Sequence, residues 1–172
     1  MIKMFSPGGA ICYDPVKIHL IGDMTMPSTH TSLNVHAVFS TKERRPLIKD
    51  SFEVDLYGYL GGIVKQQNAI PIAIGGIEDH IHMLLGIPPT QRIDYLIRDI
   101  KANSSGWLRK DKKVPFQWQE GYGAFSVSPD RVDRVSNYIW NQERHHRKTR
   151  FREEYVTILD ASGVPYDSEY LW

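Results

Sequence analysis

The run Asp79-His80-Ile81-His82-Met83-Leu84-Leu85 constrains this chain more than any other. It reads as a β-strand, and in a strand successive side chains point to opposite faces. His80, His82 and Leu84 then share one face, while Ile81, Met83 and Leu85 share the other. The second face can enter a core. The first carries two imidazoles roughly 6–7 Å apart at Cα, a spacing that can grip one metal ion or one phosphate. A half-exposed strand with merely solvated histidines is the simpler alternative. A second stretch, Tyr138-Ile139-Trp140-Asn141-Gln142, bears on that choice.

The order of elements predicts the fold. Leu33, Val35, Ala37 and Phe39 alternate with Asn34, His36 and Val38 and mark a first strand. Asp50 or Ser51 can cap a helix with Phe52, Leu56, Tyr59, Leu60 and Ile63 at helical spacing. Ala69–Ile74 and Ile81–Gly86 form a strand pair with the histidines near its turn. Ile93, Leu96, Ile97, Ile100, Trp107 and Leu108 give a second helix. Phe116–Trp118 and Gly123–Val127 are candidate strands. Ser128-Pro129 opens a third helix running to about Lys148, with serine as cap and proline at the first helical position. Helical spacing continues or restarts over Phe151–Leu159 and stops at Ser162-Gly163. The tail from Tyr166 to Trp172 is expected to pack back on the body. Strand, helix, strand, strand, helix, strand, helix is the split β-α-β, ferredoxin-like plan. The class is α+β, an antiparallel sheet with helices on one face and an appended C-terminal helix that bears the tyrosine. The histidine face is expected to be the free one.

At 172 residues the chain suits a single domain. We place that domain at 32–172. Residues 1–31 lack periodicity and read as a disordered leader or an over-extended start. No apolar run approaches the ~20 residues of a membrane helix. The single cysteine, Cys12, excludes an internal disulfide and fits a cytoplasmic setting. A formal net charge of +1 predicts no polyanion partner, but the charge is uneven. Lys42, Arg44, Arg45 and Lys49 form one basic patch. Lys101 joins Arg109, Lys110, Lys112 and Lys113 in a second. Arg144, Arg147 and Lys148 lead a third. Such patches suit a protein that meets phosphates, although solvated loops and helix ends would look the same.

Tyr138 and Gln142 are four residues apart and share a helix face. Tyr138 alone would read as a core aromatic. With the histidine strand, the set has chemical logic. Two imidazoles and one amide oxygen are three neutral ligands, leaving positions for water and phosphate oxygens. The hard amide oxygen argues for Mg²⁺ or Mn²⁺ over zinc. Such an ion polarises a phosphodiester, and a tyrosine one turn from a ligand can attack phosphorus. The ligands on this reading are His80, His82 and Gln142, and the nucleophile is Tyr138.

These stretches resemble the HUH motif and the tyrosine helix of single-tyrosine transposases of the insertion-sequence 200/605 type. Phe39-Ser40-Thr41-Lys42-x-Arg44-Arg45-Pro46, Lys101-Ala102-Asn103-Ser104-Ser105 and Trp118-Gln119-x-x-Tyr122 fit as well, over about Leu33 to Trp172. The resemblance implies an RRM-like fold acting as a homodimer. It implies cleavage and rejoining of single-stranded DNA at the foot of a hairpin, through a tyrosine linked to a 5′ phosphate. It gives the same roles to His80, His82, Gln142 and Tyr138. It further implies an active site shared between subunits, although a same-subunit arrangement is also possible. Lys42, Arg44, Arg45, Lys101, Arg144, Arg147 and Lys148 are the candidate DNA contacts. His145 and His146 are read as DNA-contacting or solvated, not as ligands. Three other readings remain: a host-serving, palindrome-associated relative with the same chemistry, a non-catalytic single-strand binder, and a zinc hydrolase built on the two histidines.

Overall fold

The computed structural model describes residues Met4–Phe5, Ile11–Cys12, 30–169 and Leu171. The sequence-read leader otherwise lies outside the described residues, as does Trp172. Two short strands, β1 (Met4–Phe5) and β2 (Ile11–Cys12), precede β3 (Asn34–Ser40), α1 (Asp50–Gln66), β4 (Ile70–Ile77) and β5 (His80–Gly86). Then come α2 (Ile93–Lys110), β6 (Gly123–Val127), α3 (Val132–Trp140), α4 (Gln142–His146) and α5 (Phe151–Ala161). The central sheet runs β4-β5-β3-β6, antiparallel throughout, with β2 and β1 added at the β4 edge. This is the expected ferredoxin-like arrangement.

β5 lies in the middle of that sheet. His80 and His82 stand opposite Ser40 and Val38 of β3, and opposite Ile77 and Gly75 of β4. Two residues, Glu78 and Asp79, turn β4 into β5, and Gly76 lets them do so. A Cβ on Gly76 would overlap the His80 carbonyl oxygen. Alternation then divides the side chains as the sequence predicts. Ile81, Met83 and Leu85 join Ala37 and Phe39 of β3 in the main core beneath α1 and α2. Phe52, Leu56, Leu60 and Ile63 are the inward stripe of α1, and Leu96, Ile97, Ile100 and Leu108 that of α2. Tyr57 is fully buried there and donates its hydroxyl hydrogen to Glu53 (2.7 Å).

Three expectations need correction. The histidine face is not free. Ile139 of α3 packs on it with Ile72, Ala73 and Leu84, and Phe151 and Leu159 of α5 pack with Val38 and Phe125. His80 and His82 are 0% exposed. The amphipathic stripes of α3 and α5 had no other apolar surface to meet, so they closed over the second sheet face. Phe116–Trp118 is no strand. Trp118 makes one bridge with Thr41, while its ring and that of Phe116 fill the core, so the apolar run reports burial and not pairing. The third helix is not continuous. After a short 3-10 turn at Pro129–Arg131, α3 stops at Asn141 (φ −107°, ψ 23°) and α4 starts afresh. Ser128 stands at the expected start with extended backbone, but its side chain makes no capping bond.

α5 ends where glycine predicts, with Gly163 in the left-handed region at φ 63°. Beyond it, Leu171 packs against the cluster formed by Val38, Phe125, Phe151 and Leu159. No helix among the described residues is long and apolar enough to cross a membrane.

Candidate active site

The covered sheet face holds a buried polar pocket. β5 supplies His80 and His82, β3 supplies His36, α3 supplies Tyr138, α4 supplies Gln142 and His146, and α5 supplies Glu154. Each lies there for a local reason. Strand alternation puts His36, His80 and His82 on one face. Helical spacing of four aligns Tyr138, Gln142 and His146 despite the break at Asn141. Glu154 sits among Phe151, Tyr155 and Ile158, the apolar stripe of its helix, and is 3% exposed.

Glu154 is the hub. Its Oε1 accepts hydrogen bonds from the Tyr138 hydroxyl and from Gln142 Nε2, the latter at 3.1 Å. Its Oε2 lies 3.2 Å from His146 Nε2 and 3.5 Å from the Nε2 atoms of both His80 and His82. His80 Nδ1 donates to Asp79 Oδ1 (2.6 Å), and His146 Nδ1 donates to the Thr149 carbonyl (2.8 Å). His36 Nε2 and His82 Nδ1 share a hydrogen bond of 2.9 Å. The Tyr138 ring meets that of His82 edge-on, with centroids 5.7 Å apart. All of this lies within one chain.

The electrostatics follow from burial and two acids, Glu154 and Asp79. Burial, helped by the neighbouring His82, drives His36 down to about 3. Burial likewise drives His82 down to about 4, against the pull of Glu154. For His80 burial is outweighed by the hydrogen bonds to Asp79 and Glu154, which raise it. Burial and the adjacent Glu154 charge push the Tyr138 phenol up. Burial would raise Glu154, but the imidazoles of His146, His80 and His82 hold its carboxyl well below the usual range.

His80, His82, His146 and Glu154 can hold a metal ion, for their donor atoms all lie within 4.8 Å of one another. Two of those atoms, His82 Nε2 and Glu154 Oε2, are buried without a hydrogen-bond partner among the described residues. Orphaned buried polar atoms of this kind are rare unless something else satisfies them, so the donor set fits a bound cation.

A family model described as "Transposase IS200 like" matches residues 29–142. The chain belongs to the IS200-like transposase family. Two solved structures share its fold. One is a protein assigned as a transposase from Deinococcus radiodurans R1, with 24% identity, TM-score 0.54, and coverage of 67% of this chain and 95% of that one. The other is a REP-associated tyrosine transposase bound to a REP hairpin, with 12% identity, TM-score 0.55, and coverage of 70% and 74%. No curated protein matches this sequence.

For this IS200-like transposase, the pocket brings together Tyr138, His80, His82 and Gln142, the four residues that sequence spacing singled out. It adds two that the sequence reading set aside or missed. His146 is not solvated, with its side chain 7% exposed against His80. Its place four residues after Gln142 was the available signal. Glu154 was missed, and an acid inside an apolar stripe was its signal. The basic residues divide. Arg144, Arg147 and Lys148 are exposed on and just after α4, and Arg44 and Arg45 are exposed on the loop after β3, with Lys42 half-buried. Lys101 instead spends its ammonium on the Gln119 and Gly121 carbonyls, both at 2.6 Å, and tethers that loop. Between this loop and α5 lies a cleft of about 190 Å³ lined by Arg44, Tyr122, Phe151 and Tyr155 among others. Phe151 also stacks on His80 with centroids 4.1 Å apart.

Proposed function

We propose that this chain cleaves and rejoins single-stranded DNA at hairpin ends, with Tyr138 as the nucleophile. The observation that carries the reading is the meeting of the Tyr138 hydroxyl with the strand histidines in one buried pocket of a transposase fold. Tyr138 Oη attacks phosphorus, the new O–P bond forms, and the bond from phosphorus to the 3′ oxygen breaks. The 5′ phosphate stays on the tyrosine, and the 3′ oxygen leaves as a hydroxyl. Glu154 Oε1, which accepts the tyrosine hydrogen bond, orients Oη for that attack, and the proton lost from Oη passes through solvent to the departing 3′ oxygen. Rejoining runs the same steps backward from another 3′ hydroxyl. His80 and His82, with His146 and Glu154, would hold a divalent cation, which would supply charge stabilisation at the phosphate oxygens.

Several features support a DNA substrate. Arg144, Arg147 and Lys148 are exposed on and just after α4, which carries Gln142 and His146, and the cleft beside Phe151, lined also by Arg44, offers aromatic faces for an unstacked base. The REP-associated neighbour was solved with a hairpin, which makes hairpin-bearing strands the first substrates to try. A host-serving, palindrome-associated enzyme would use the same site, and paired hairpin ends flanking the gene would instead mark a mobile element. The homodimer implied by the resemblance belongs to this proposal and is tested by light scattering. A cytoplasmic setting goes with it.

The test is incubation with hairpin-bearing single strands, with and without Mg²⁺ or Mn²⁺. Nicks and a protein–DNA adduct that survives denaturation are the expected result. Binding without nicking under any cation would leave a single-strand binder in place of an enzyme.

A further inference from the structure

The cleft beside α5 is a second built feature, separate from the metal-binding group. Glu43 reaches it from the loop after β3, Gln119, Glu120 and Tyr122 from the loop before β6, and Phe151 and Tyr155 from α5. Its two loops are pinned to each other. Lys42 N–H donates to the Gln117 carbonyl (2.8 Å) and Gln119 N–H to the Ser40 carbonyl (2.9 Å). Glu43 N–H donates to the Gln119 side-chain oxygen (3.1 Å). Lys101 of α2 binds the Gln119 and Gly121 carbonyls. Within this mesh Glu43 and Arg44 sit in the left-handed region at φ 56° and 52°, where residues other than glycine are uncommon. Strain of this kind persists only where the surroundings enforce it, and it gathers at ligand clamps.

Size and chemistry select the occupant. At about 190 Å³ the cleft is smaller than a drug-sized site of about 300 Å³ or more, so it takes one ring system. Tyr122, Tyr155 and Phe151 line it with aromatic rings. The Glu43 and Glu120 carboxylates accept hydrogen bonds and donate none. They repel a backbone phosphate and suit the amino hydrogens of a base. The Gln119 side-chain oxygen is engaged by Glu43, which leaves its NH₂ group to donate. Adenine, cytosine and guanine carry an exocyclic amino group, and thymine does not. The cleft also lies one ring away from the strand histidines, for Phe151 stacks on His80 at 4.1 Å and on Tyr155 at 5.6 Å. A nucleotide whose phosphate meets Tyr138 thus has its base within reach of the cleft.

We propose that this cleft is a base-reading site. It takes one unpaired nucleobase next to the cleaved phosphate, stacks it on Tyr122, and favours adenine, cytosine or guanine over thymine through Glu43 and Glu120. Lys101 is a positioning residue that holds the reading wall, in place of the phosphate contact that its charge suggests. The link to a cleaved phosphate rests on the reading given under Proposed function; the base binding itself does not.

The experiment measures the affinity of the full chain for hairpin-bearing single strands from the DNA flanking the gene, without divalent cation so that nothing is cut. An abasic site is walked through the unpaired nucleotides. One position should weaken binding by about 5- to 150-fold, the range of base–aromatic stacking. At that position thymine should bind about tenfold more weakly than the other three bases. Tyr122 is 38% exposed, so alanine there leaves the core intact. Tyr122→Ala should cost the intact strand as much as the abasic site does, and cost the abasic strand nothing further. Tyr95→Ala, at a similarly exposed tyrosine outside the cleft, should change neither. Glu43→Gln combined with Glu120→Gln should admit thymine, since an amide can donate to its carbonyls. Lys101→Met should weaken the base preference and leave the salt slope at the wild-type value. If a variant fails to unfold cooperatively, the abasic and thymine scans of the wild type decide. The proposal is overturned if no position responds, if thymine ranks with the other bases, or if the Tyr122→Ala and abasic losses add. A flatter salt slope in Lys101→Met would overturn its positioning role. Nicking without any base-dependent position would sink the cleft alone. Base-dependent binding with no nicking under any cation would sink the cleavage reading alone.

Discussion

The Tyr138 hydroxyl donates its hydrogen to Glu154, a carboxylate on a different helix sixteen residues further along the chain. That bond fixes where the phenol oxygen points. It also makes the cost of removing it readable, since hydrogen bonds to charged acceptors contribute about 1.5–3 kcal/mol. Tyr138→Phe should therefore lower stability in urea by about that amount while leaving the fold and hairpin affinity in place. The covalent DNA adduct should vanish. An adduct of wild-type yield would remove Tyr138 from the role of nucleophile.

His80 and His82 are buried, so truncating them is not the mild surface change that a free sheet face would allow. Alanine at either position should cost about 2–4 kcal/mol through the cavity it leaves. His80→Gln and His82→Gln keep more of the volume and should still unfold cooperatively on heating. Both should fail to nick DNA across a full titration of divalent cation. Wild-type nicking by both would move the metal site elsewhere.

The proposed catalytic residues meet within one chain, an arrangement that needs no exchange between subunits, whereas the resemblance implies a shared site. Mixing a His80→Gln/His82→Gln double variant with Tyr138→Phe should accordingly restore no nicking, because each chain carries a broken pocket. Recovery towards about a quarter of wild-type activity, the counting value for random pairing with one good site per mixed dimer, would show that tyrosine helices exchange.

Arg144, Arg147 and Lys148 project from α4 and the turn after it into solvent. On a single strand each neutralised phosphate contributes about 0.7 to the slope of log affinity against log salt. The triple alanine variant should flatten that slope by up to about 2. An unchanged slope would make this patch an ordinary solvated surface.

Tyr57 gives an alkaline signature remote from the pocket. Burial, then the charge and hydrogen bond of Glu53, hold its phenol well above the usual value. The unfolded chain loses this proton through about pH 10, while the folded chain keeps it. The contribution is therefore whole below about pH 10 and is lost as the pH climbs towards the raised folded value. Urea midpoints should fall between about pH 9 and 11 in the wild type and fall less steeply in Tyr57→Phe. Equal slopes would mean that the hydroxyl ionises alike in both states.

Much of this was legible in the sequence because it depends on period. Alternation across Asp79–Leu85 assigned Ile81, Met83 and Leu85 to the core and the histidines to the other face. Spacing of four paired Tyr138 with Gln142. What escaped was closure. The local signal that separates Glu154 from Glu153 is slight: both are acids in the first turn of α5, and only Glu154 falls on the stripe of Phe151, Tyr155 and Ile158. Only the docking of that helix on the sheet brings Glu154 to His80, more than seventy positions earlier. His146 was hidden by its basic surroundings, Arg144 to Lys148, which look like a solvated end. Asn141 gave no warning of the break either, because asparagine is tolerated inside helices as well as at their ends.

That break has a mechanical consequence. On an unbroken rod from Val132 to His146, any rotation that re-aimed the Tyr138 hydroxyl would swing Gln142 and His146 by the same angle. As built, α3 is seated by Ile139 against Ile72, Ala73 and Leu84, while the end of α4 is anchored separately through His146 and Thr149. The joint at Asn141 lets the two halves take their bearings from different anchors. Substitutions along 132–140 can retune the reach of the tyrosine without turning the residues that face His80 and Glu154.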